Sequence, residues 1–230
     1  MNKNESYNSL KKYAQDNGAD LFGVADISSV KKDFLLSNNS LNKLDKAICL
    51  GMRLSNALLQ EIIDAPNRLY FHHYKTVNAS LDQLALKVCN HIQKIGFLAL
   101  PIPASQIVDW QNQKAHLSHR QVGLWAGLGW IGRNNLLVTK ELGSQFRLAT
   151  ILTDMPLKID KPGKDDCGKC RLCIEACPAK AIKESPKEFN FAKCFEKLKE
   201  FKKLRLVDQY ICGVCVNTCK GGNNLFGERI

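Results

Sequence analysis

No stretch of this 230-residue chain holds eighteen consecutive apolar residues, so no segment reads as a transmembrane helix. The opening segment, MNKNESYNSLKKYAQ, has neither an apolar core nor paired arginines, and no export signal is legible in it. The expectation is a cytoplasmic protein with no membrane partner. There is no internal repeat of solenoid length and no low-complexity linker. Acidic residues are scarce relative to basic ones, 22 against 33, for a net charge of +11.

Cysteine, by contrast, is abundant. The chain has ten, and eight crowd between Cys167 and Cys219. In a reducing compartment, clustered cysteines read as metal ligands rather than as a disulfide framework.

The apolar content of 45% and charged content of 24% are those of a globular chain. The segment SYNSLKKYAQDNGAD predicts a helix stopped by Gly18. Leu21–Ala25, Ala47–Met52, Phe97–Ile102 and Arg147–Thr153 fit buried strands. Leu81, Leu84, Ala85, Val88 and Ile92 recur at helical spacing, predicting an amphipathic helix that ends at Gly96. The fold class is therefore α+β (α/β). A turn-rich stretch, MPLKIDKPGKDD, marks a boundary, with an α/β domain over 1–158 and a cysteine-rich module over 159–230.

The stretch AGLGWIGRNN, Ala126 to Asn135, contains a G-x-G-x-x-G pattern. A dinucleotide fingerprint needs a strand before the glycines and a helix after them. Here the order is reversed. Ser118 and Gln121 are spaced for a capping box, with Leu117 and Val122 as a hydrophobic staple. The helix runs to Ala126, with Gly127 as a left-handed terminator. Leu136 to Thr139 then reads as a strand. The glycines serve either to let backbone approach something bulky or to make a plain tight turn. His119 and Arg120 sit in the first turn of that helix, where the macrodipole disfavours cations. A bound anion, a lowered histidine pKa or a solvated turn would each accommodate them.

Cys167-x2-Cys170-x2-Cys173-x3-Cys177-Pro178 is the bacterial ferredoxin run, whose fourth cysteine ligates a different cluster from the first three. Cys194 and Cys212-x2-Cys215-x3-Cys219 follow. The assignment is Cys167, Cys170, Cys173 and Cys219 for one [4Fe–4S] cluster, and Cys177, Cys194, Cys212 and Cys215 for the other. Zinc is the alternative, although structural zinc favours paired C-x2-C knuckles. Cys194 is expected on or before a helix whose Phe195, Leu198 and Phe201 stripe one face, packed against the cluster module, with lysines opposite. Cys49 and Cys89 read as inert core residues. Lys193, Lys197, Lys199, Lys202, Lys203 and Arg205 form a basic run, either a landing site for an acidic electron donor or an RNA backbone, or a solvated helix face.

Taken together, AGLGWIGRNNLLVT, LATILTDMPL and the double cysteine module resemble the epoxyqueuosine reductases and, more distantly, the reductive dehalogenases, over about Leu117 to Cys219. The resemblance implies a nitroreductase-like N-terminal domain holding a cobalamin, with a double [4Fe–4S] ferredoxin-like module delivering electrons to it. It implies cofactor-side roles for Gly129, Trp130, Ile131, Gly132, Asn134, Asn135, Thr153 and Asp154. An electron donor such as ferredoxin or flavodoxin is implied, and tRNA as a partner. The acidic proton donor of those reductases falls on Gln113 here, which cannot give up a proton. His119 and His116 are the candidate replacements, and a plain surface histidine is the alternative for each. His72-His73-Tyr74 either lines such a pocket or starts a helix. Many of those reductases have a C-terminal helical-repeat extension that grips tRNA, and with eleven residues after Cys219 none is expected. A non-catalytic electron carrier with a docking domain is the competing expectation.

Overall fold

The computed structural model describes residues 2–111 and 113–222. The end of the expected C-terminal module, 223–230, lies outside the described residues. In chain order, the elements are α1 (Lys3–Asp16), β1 (Leu21–Asp26), α2 (Asn38–Leu41), β2 (Lys46–Arg53), α3 (Asn56–Gln60), α4 (Arg68–Lys94), β3 (Ala99–Ile102) and α5 (His119–Trp125). A two-stranded ribbon of β4 (Trp130–Ile131) and β5 (Leu137–Val138) follows, then β6 (Phe146–Thr153), α6 (Leu172–Ala176), α7 (Phe191–Lys203) and α8 (Val214–Thr218). The class is mixed α and β.

The chain forms two compact units whose segments alternate along the sequence. One comprises residues 1–52, 77–128 and 147–163, and the other 53–76, 129–146 and 164–230. Helix α4 starts in the second unit and from Val77 belongs to the first.

The first unit is built on a four-stranded sheet in the order β1-β2-β6-β3. β1 and β2 are antiparallel, with Leu21 opposite Gly51 and Asp26 opposite Lys46. β3 and β6 are antiparallel, with Ala99 opposite Thr153. Five successive residues of β2, Ala47 to Gly51, are buried, which is why the stretch reads as a continuous apolar run rather than an alternating one. Helix α1 opens with a capping box: the Asn2 side chain accepts from the Asn4 and Glu5 amides, and Glu5 accepts from the Asn2 amide. Two orphan donors are satisfied at once. The helix stops before Gly18, whose φ of 106° only glycine takes without strain. The stripe on α4 is buried as its spacing predicts: Leu81, Leu84, Ala85, Val88 and Ile92. With Leu10, Val24, Ile48, Leu50 and Ile151 they make the core, each large aliphatic contributing about 1.5–3 kcal/mol by leaving water.

Residues 158–163 close the first unit. Asp160 donates its amide to the Val24 carbonyl at 2.9 Å, and its Oδ2 accepts from the Val24 amide at 3.0 Å and from the Tyr7 hydroxyl at 2.8 Å. Burial, then the adjacent Asp160 carboxylate, push the Tyr7 phenol well above its ordinary value.

The second unit gathers α3, the start of α4, the β4–β5 ribbon and the three helices α6, α7 and α8. α8 packs on both α6 and α3. Gly213, at φ 88°, starts α8 against the Tyr70 ring and Ile62. The Asn217 side chain donates to the Ile62 carbonyl at 2.9 Å, and Gln145 donates to the Asn217 carbonyl at 2.7 Å.

Candidate functional site

The glycine stretch is the first thing the fold explains. The order is helix α5, glycine turn, strands β4 and β5, as the reversed reading requires. Gly127 is left-handed, at φ 68°, and a methyl group there would meet the Lys161 carbonyl oxygen at 2.6 Å. At Gly129 a methyl group would run into the Val138 carbonyl, and at Gly132 into the Val138 side chain. These glycines are needed because the chain packs against itself. The expected capping box is absent: Ser118 caps α5 without a side-chain hydrogen bond. Instead its carbonyl accepts the Gln121 and Val122 amides, both at 3.0 Å, and Gln121 faces a surface cavity.

The turn leads into the cysteine region. The Trp130 indole Nε1–H donates to the Cys167 sulfur at 3.3 Å. Arg133 donates from its two terminal nitrogens to the carbonyls of Cys170 at 3.0 Å and Gly168 at 2.9 Å. Its buried Nε has no hydrogen bond and lies 3.7 Å from Glu184, which also pairs with Arg171 at 3.2 Å. Gly143, at φ 57°, lies against the Cys219 carbonyl. The segment 129–146 therefore wraps the Cys167–Cys173 loop and Cys219.

All ten cysteines are free thiols. Their positions follow from local structure. Cys167 and Cys170 sit on a turn closed by a 3.0 Å amide-to-carbonyl bond, Cys173 lies in α6, and Cys177 caps its end. Cys194 lies within α7, whose Asn190 cap accepts the Lys193 amide at 2.9 Å. Cys212 precedes α8, Cys215 lies in it, and Cys219 caps it.

Mutual electrostatics sorts these thiols. Burial and then the neighbouring Cys219, Cys167 and Cys170 push Cys173 up to about 12. Burial raises Cys194, and its thiol neighbour is Cys177. Burial pushes Cys212 up to about 11, with Cys194 and Cys177 adding to it. Cys215 is driven well above its ordinary value by burial, then by Cys212, Cys194, Cys173 and Cys177. Thiols this crowded resist ionisation unless a cation compensates them. Among the described residues, no three His, Cys, Asp or Glu side chains converge closely enough to hold a single metal ion.

Cys49 and Cys89 belong to the first unit's core. Cys49 is pushed up to about 12 by burial alone, and Cys89 sits against the Ala99 carbonyl and the Gln93 amide. Burial raises the Cys89 thiol as well.

The residues nominated for a corrinoid divide between the two units. In the second, Trp130, Ile131 and Asn135 are partly exposed, while Asn134 is buried, donating to the Ser144 hydroxyl at 3.1 Å and accepting the Leu136 amide at 3.2 Å. In the first, the Thr153 hydroxyl donates to the Leu98 carbonyl at 2.6 Å, and Asp154 accepts the Leu98 amide at 2.8 Å. The side chains of Asn134, Thr153 and Asp154 are thus committed to the protein's own backbone and to one hydroxyl.

The two candidate acids part company. His119 has both ring nitrogens engaged, Nε2 with the Pro103 carbonyl and Nδ1 with the Thr150 hydroxyl, each at 2.8 Å. A carbonyl only accepts, so Nε2 carries the proton and Nδ1 accepts from Thr150. Burial lowers the imidazole to about 4, with the Arg147 charge adding to it. His119 is therefore neutral near neutral pH, with its one N–H committed to the Pro103 carbonyl, and this disfavours the expectation of an acid there. The lowered pKa also explains how a histidine tolerates the first turn of α5. His116 uses Nδ1 to meet the Leu35 carbonyl at 2.8 Å, and its Nε2 remains over. With Gln113, Arg120, Gln121, Asp33 and Trp125 it lines a surface cavity of about 500 Å³ in the first unit.

The His72-His73-Tyr74 trio lies within α4. The Ser55 amide donates to His73 Nε2 at 3.0 Å, and burial lowers the His73 imidazole. The basic run is partly self-compensated. Lys197 pairs with Glu200 at 2.6 Å and Lys199 with Glu196 at 2.7 Å, and Lys199 and Lys202 lie over the Phe195 and Tyr210 rings. Phe201 is buried and Phe195 and Leu198 are half-buried, as the helix stripe predicts.

No helix of the described residues is long and apolar enough to cross a membrane. No family model matches the chain. The chain is 36% identical over 124 residues to the epoxyqueuosine reductase of Vibrio cholerae, an alignment covering 51% of this chain and 31% of that one. Its fold matches the structure of epoxyqueuosine reductase from Streptococcus thermophilus with a TM-score of 0.66 at 20% identity, covering 94% of this chain and 65% of that one. It matches a catabolic reductive dehalogenase, in complex with 3-bromo-4-hydroxybenzoic acid, with a TM-score of 0.75 at 18% identity, covering 95% of this chain and 32% of that one. The chain thus spans about a third of the length of the Vibrio relative.

Proposed function

Starting from the relationship of this chain to the epoxyqueuosine reductases, we propose that it is an oxidoreductase that moves electrons through two [4Fe–4S] clusters. The observation that carries this is the sorting of eight thiols. After burial, Cys173 feels Cys219, Cys167 and Cys170, whereas Cys194, Cys212 and Cys215 each feel Cys177, and Cys215 also feels Cys173. This pattern supports the cross-over of a double ferredoxin module, in which the cysteine before the proline leaves the first set for the second. A cluster gives each thiolate its own iron, whereas zinc draws four onto one ion at about 2.3 Å. The three-cysteine loop followed by Cys-Pro favours the cluster.

The acceptor we propose is a cobalamin, which supplies a low-valent metal able to reduce a bound substrate. Support comes from the resemblance of the glycine stretch and the likeness of fold. Of the eight nominated residues, Trp130, Ile131 and Asn135 keep surface for such a ligand, while Gly129, Gly132, Asn134, Thr153 and Asp154 serve the protein's own packing. On the same reading a nitroreductase-like domain and a ferredoxin-like module divide the labour, with the boundary near 158. The proton donor we propose is His116. With Nδ1 held by the Leu35 carbonyl, the imidazolium would release its proton from Nε2 into the cavity, beside Gln113, where the related reductases carry an acid. Epoxyqueuosine in tRNA is the substrate suggested by the names of the relatives. An acidic carrier such as ferredoxin or flavodoxin is the proposed electron donor, in keeping with the net charge of +11 and the exposed Lys193, Lys202 and Lys203.

A second reading, an electron carrier without chemistry of its own, is favoured by one observation: His119 is locked neutral. Metal content decides between them. After anaerobic purification and incubation with cobalamin, about eight iron and one cobalt per chain are expected. Iron at that level without cobalt would establish the carrier, and iron near zero would refute both.

A further inference from the structure

We propose that Trp130 and Ser144 set the reduction potential of the cluster held by Cys167, Cys170, Cys173 and Cys219, a proposal that rests on the cluster reading above. Trp130 lies in β4 opposite Val138, and its indole N–H points at the Cys167 sulfur at 3.3 Å. An indole nitrogen only donates, so the sulfur is the acceptor. Ser144 is buried. Its oxygen accepts from the Asn134 amide at 3.1 Å, which leaves its own hydrogen for Cys219. Gly143, the residue before Ser144, lies against the Cys219 carbonyl and the Gly221 amide, and the donors facing the Cys219 sulfur are the Ser144 hydroxyl, the Ser144 amide and the Gly221 amide.

The other set is served differently. Cys177 accepts the Ala181 amide at 3.4 Å, and Cys212 has the Val214 amide. These are backbone donors. Among the described residues, the side-chain donors, an indole and a hydroxyl, both fall on the first set, and both come from the 129–146 segment.

The consequence is electrostatic. Reduction adds one electron, and so one negative charge, to a cluster whose thiolates are already anionic. A hydrogen bond to a ligand sulfur stabilises the reduced state more than the oxidised one and raises the potential. Removing the donor lowers it. The glycine turn thus has a role distinct from lining a cofactor pocket. Gly129 lets the ribbon close on the Val138 carbonyl, and this closure fixes the strand that aims the indole.

The test uses the full chain, loaded with iron and sulfide anaerobically. Wild type, Trp130→Phe, Ser144→Ala and, as a control, Trp110→Phe are compared by iron content and by potentiometric titration with dithionite, followed by EPR. Trp110 is 62% exposed and outside the cysteine region. In Trp130→Phe and in Ser144→Ala, the midpoint of one and the same cluster is expected to move negative, with the other unchanged, iron retained, and Trp110→Phe identical to wild type. Unchanged midpoints with full iron overturn the proposal while leaving the cluster reading intact. Equal shifts of both clusters also overturn it, because they signal general loosening. A wild-type chain that takes up no iron overturns the cluster reading and the proposal together. If Trp130→Phe loses iron, Ser144→Ala decides alone.

Discussion

His119 donates its Nε2 proton to the Pro103 carbonyl across 2.8 Å, while Thr150 donates to its other nitrogen at the same distance. Between them the two bonds fix one tautomer of a ring held at about pKa 4. The unfolded chain binds that proton with an ordinary pKa near 6.5. Between pH 4 and 6.5 the unfolded state therefore holds more protons than the folded one, and stability rises with pH across that window. At most about 3.5 kcal/mol is at stake, from about 1.4 kcal/mol per pH unit across that window. Urea midpoints should climb through this window in the wild type and climb less in His119→Gln. Equal slopes for the two proteins would refute the assignment.

Glycine substitutions should separate packing from strain. At Gly129 an added methyl group meets backbone, the Val138 carbonyl, which cannot swing aside. Gly129→Ala should abolish the β4–β5 ribbon, with loss of soluble protein or of iron. At Gly96, φ is 95° but nothing lies within 4 Å of the added carbon. Gly96→Ala should cost only the backbone strain, about 1–2 kcal/mol, read as a modest drop in urea midpoint with iron intact.

The cysteine assignment predicts iron counts. Cys194→Ser removes one ligand of the second set and should lower iron from about eight toward about four per chain, with one EPR signal surviving. Cys49→Ala should leave iron unchanged, because that thiol belongs to the first unit's core, where it faces the His119 carbonyl. It should cost about 1 kcal/mol or more in stability for the lost volume.

Arg133 ties the cysteine loop by two donors to the Cys170 and Gly168 carbonyls. Arg133→Gln keeps a polar group but cannot span both. The expectation is normal iron on reconstitution but faster iron release to a chelator, several-fold relative to wild type. An unchanged release rate would mean that the clamp is incidental.

Much of the local structure was legible from residue order. Strands β1, β2 and β6 announced themselves as apolar runs because they are buried on both faces. The stripe on α4 was readable because a helix repeats every 3.6 residues. The order of helix, glycine turn and strand around Ala126 followed from cap and breaker residues. The capping box at Ser118 did not, because spacing shows only that two groups are compatible and not whether a side chain turns instead to a cavity. The closing contacts of Asp160 with Val24 and Tyr7 had no signal at all, because a lone aspartate in a turn looks like any other.

What the sequence by itself determined is the spacing of the clustered cysteines, since three-residue intervals and a Cys-Pro pair constrain a backbone loop locally, together with the class of the fold. Tertiary structure alone decided the rest. It locked His119 neutral through Pro103 and Thr150, partners that are 16 and 31 residues away in sequence. It spent Asn134, Thr153 and Asp154 on the protein's own groups, and it turned the Trp130 indole to a sulfur 37 residues along the chain. Hydrogen-bond partners and desolvation are properties of neighbourhood in space, and no spacing along the chain encodes them.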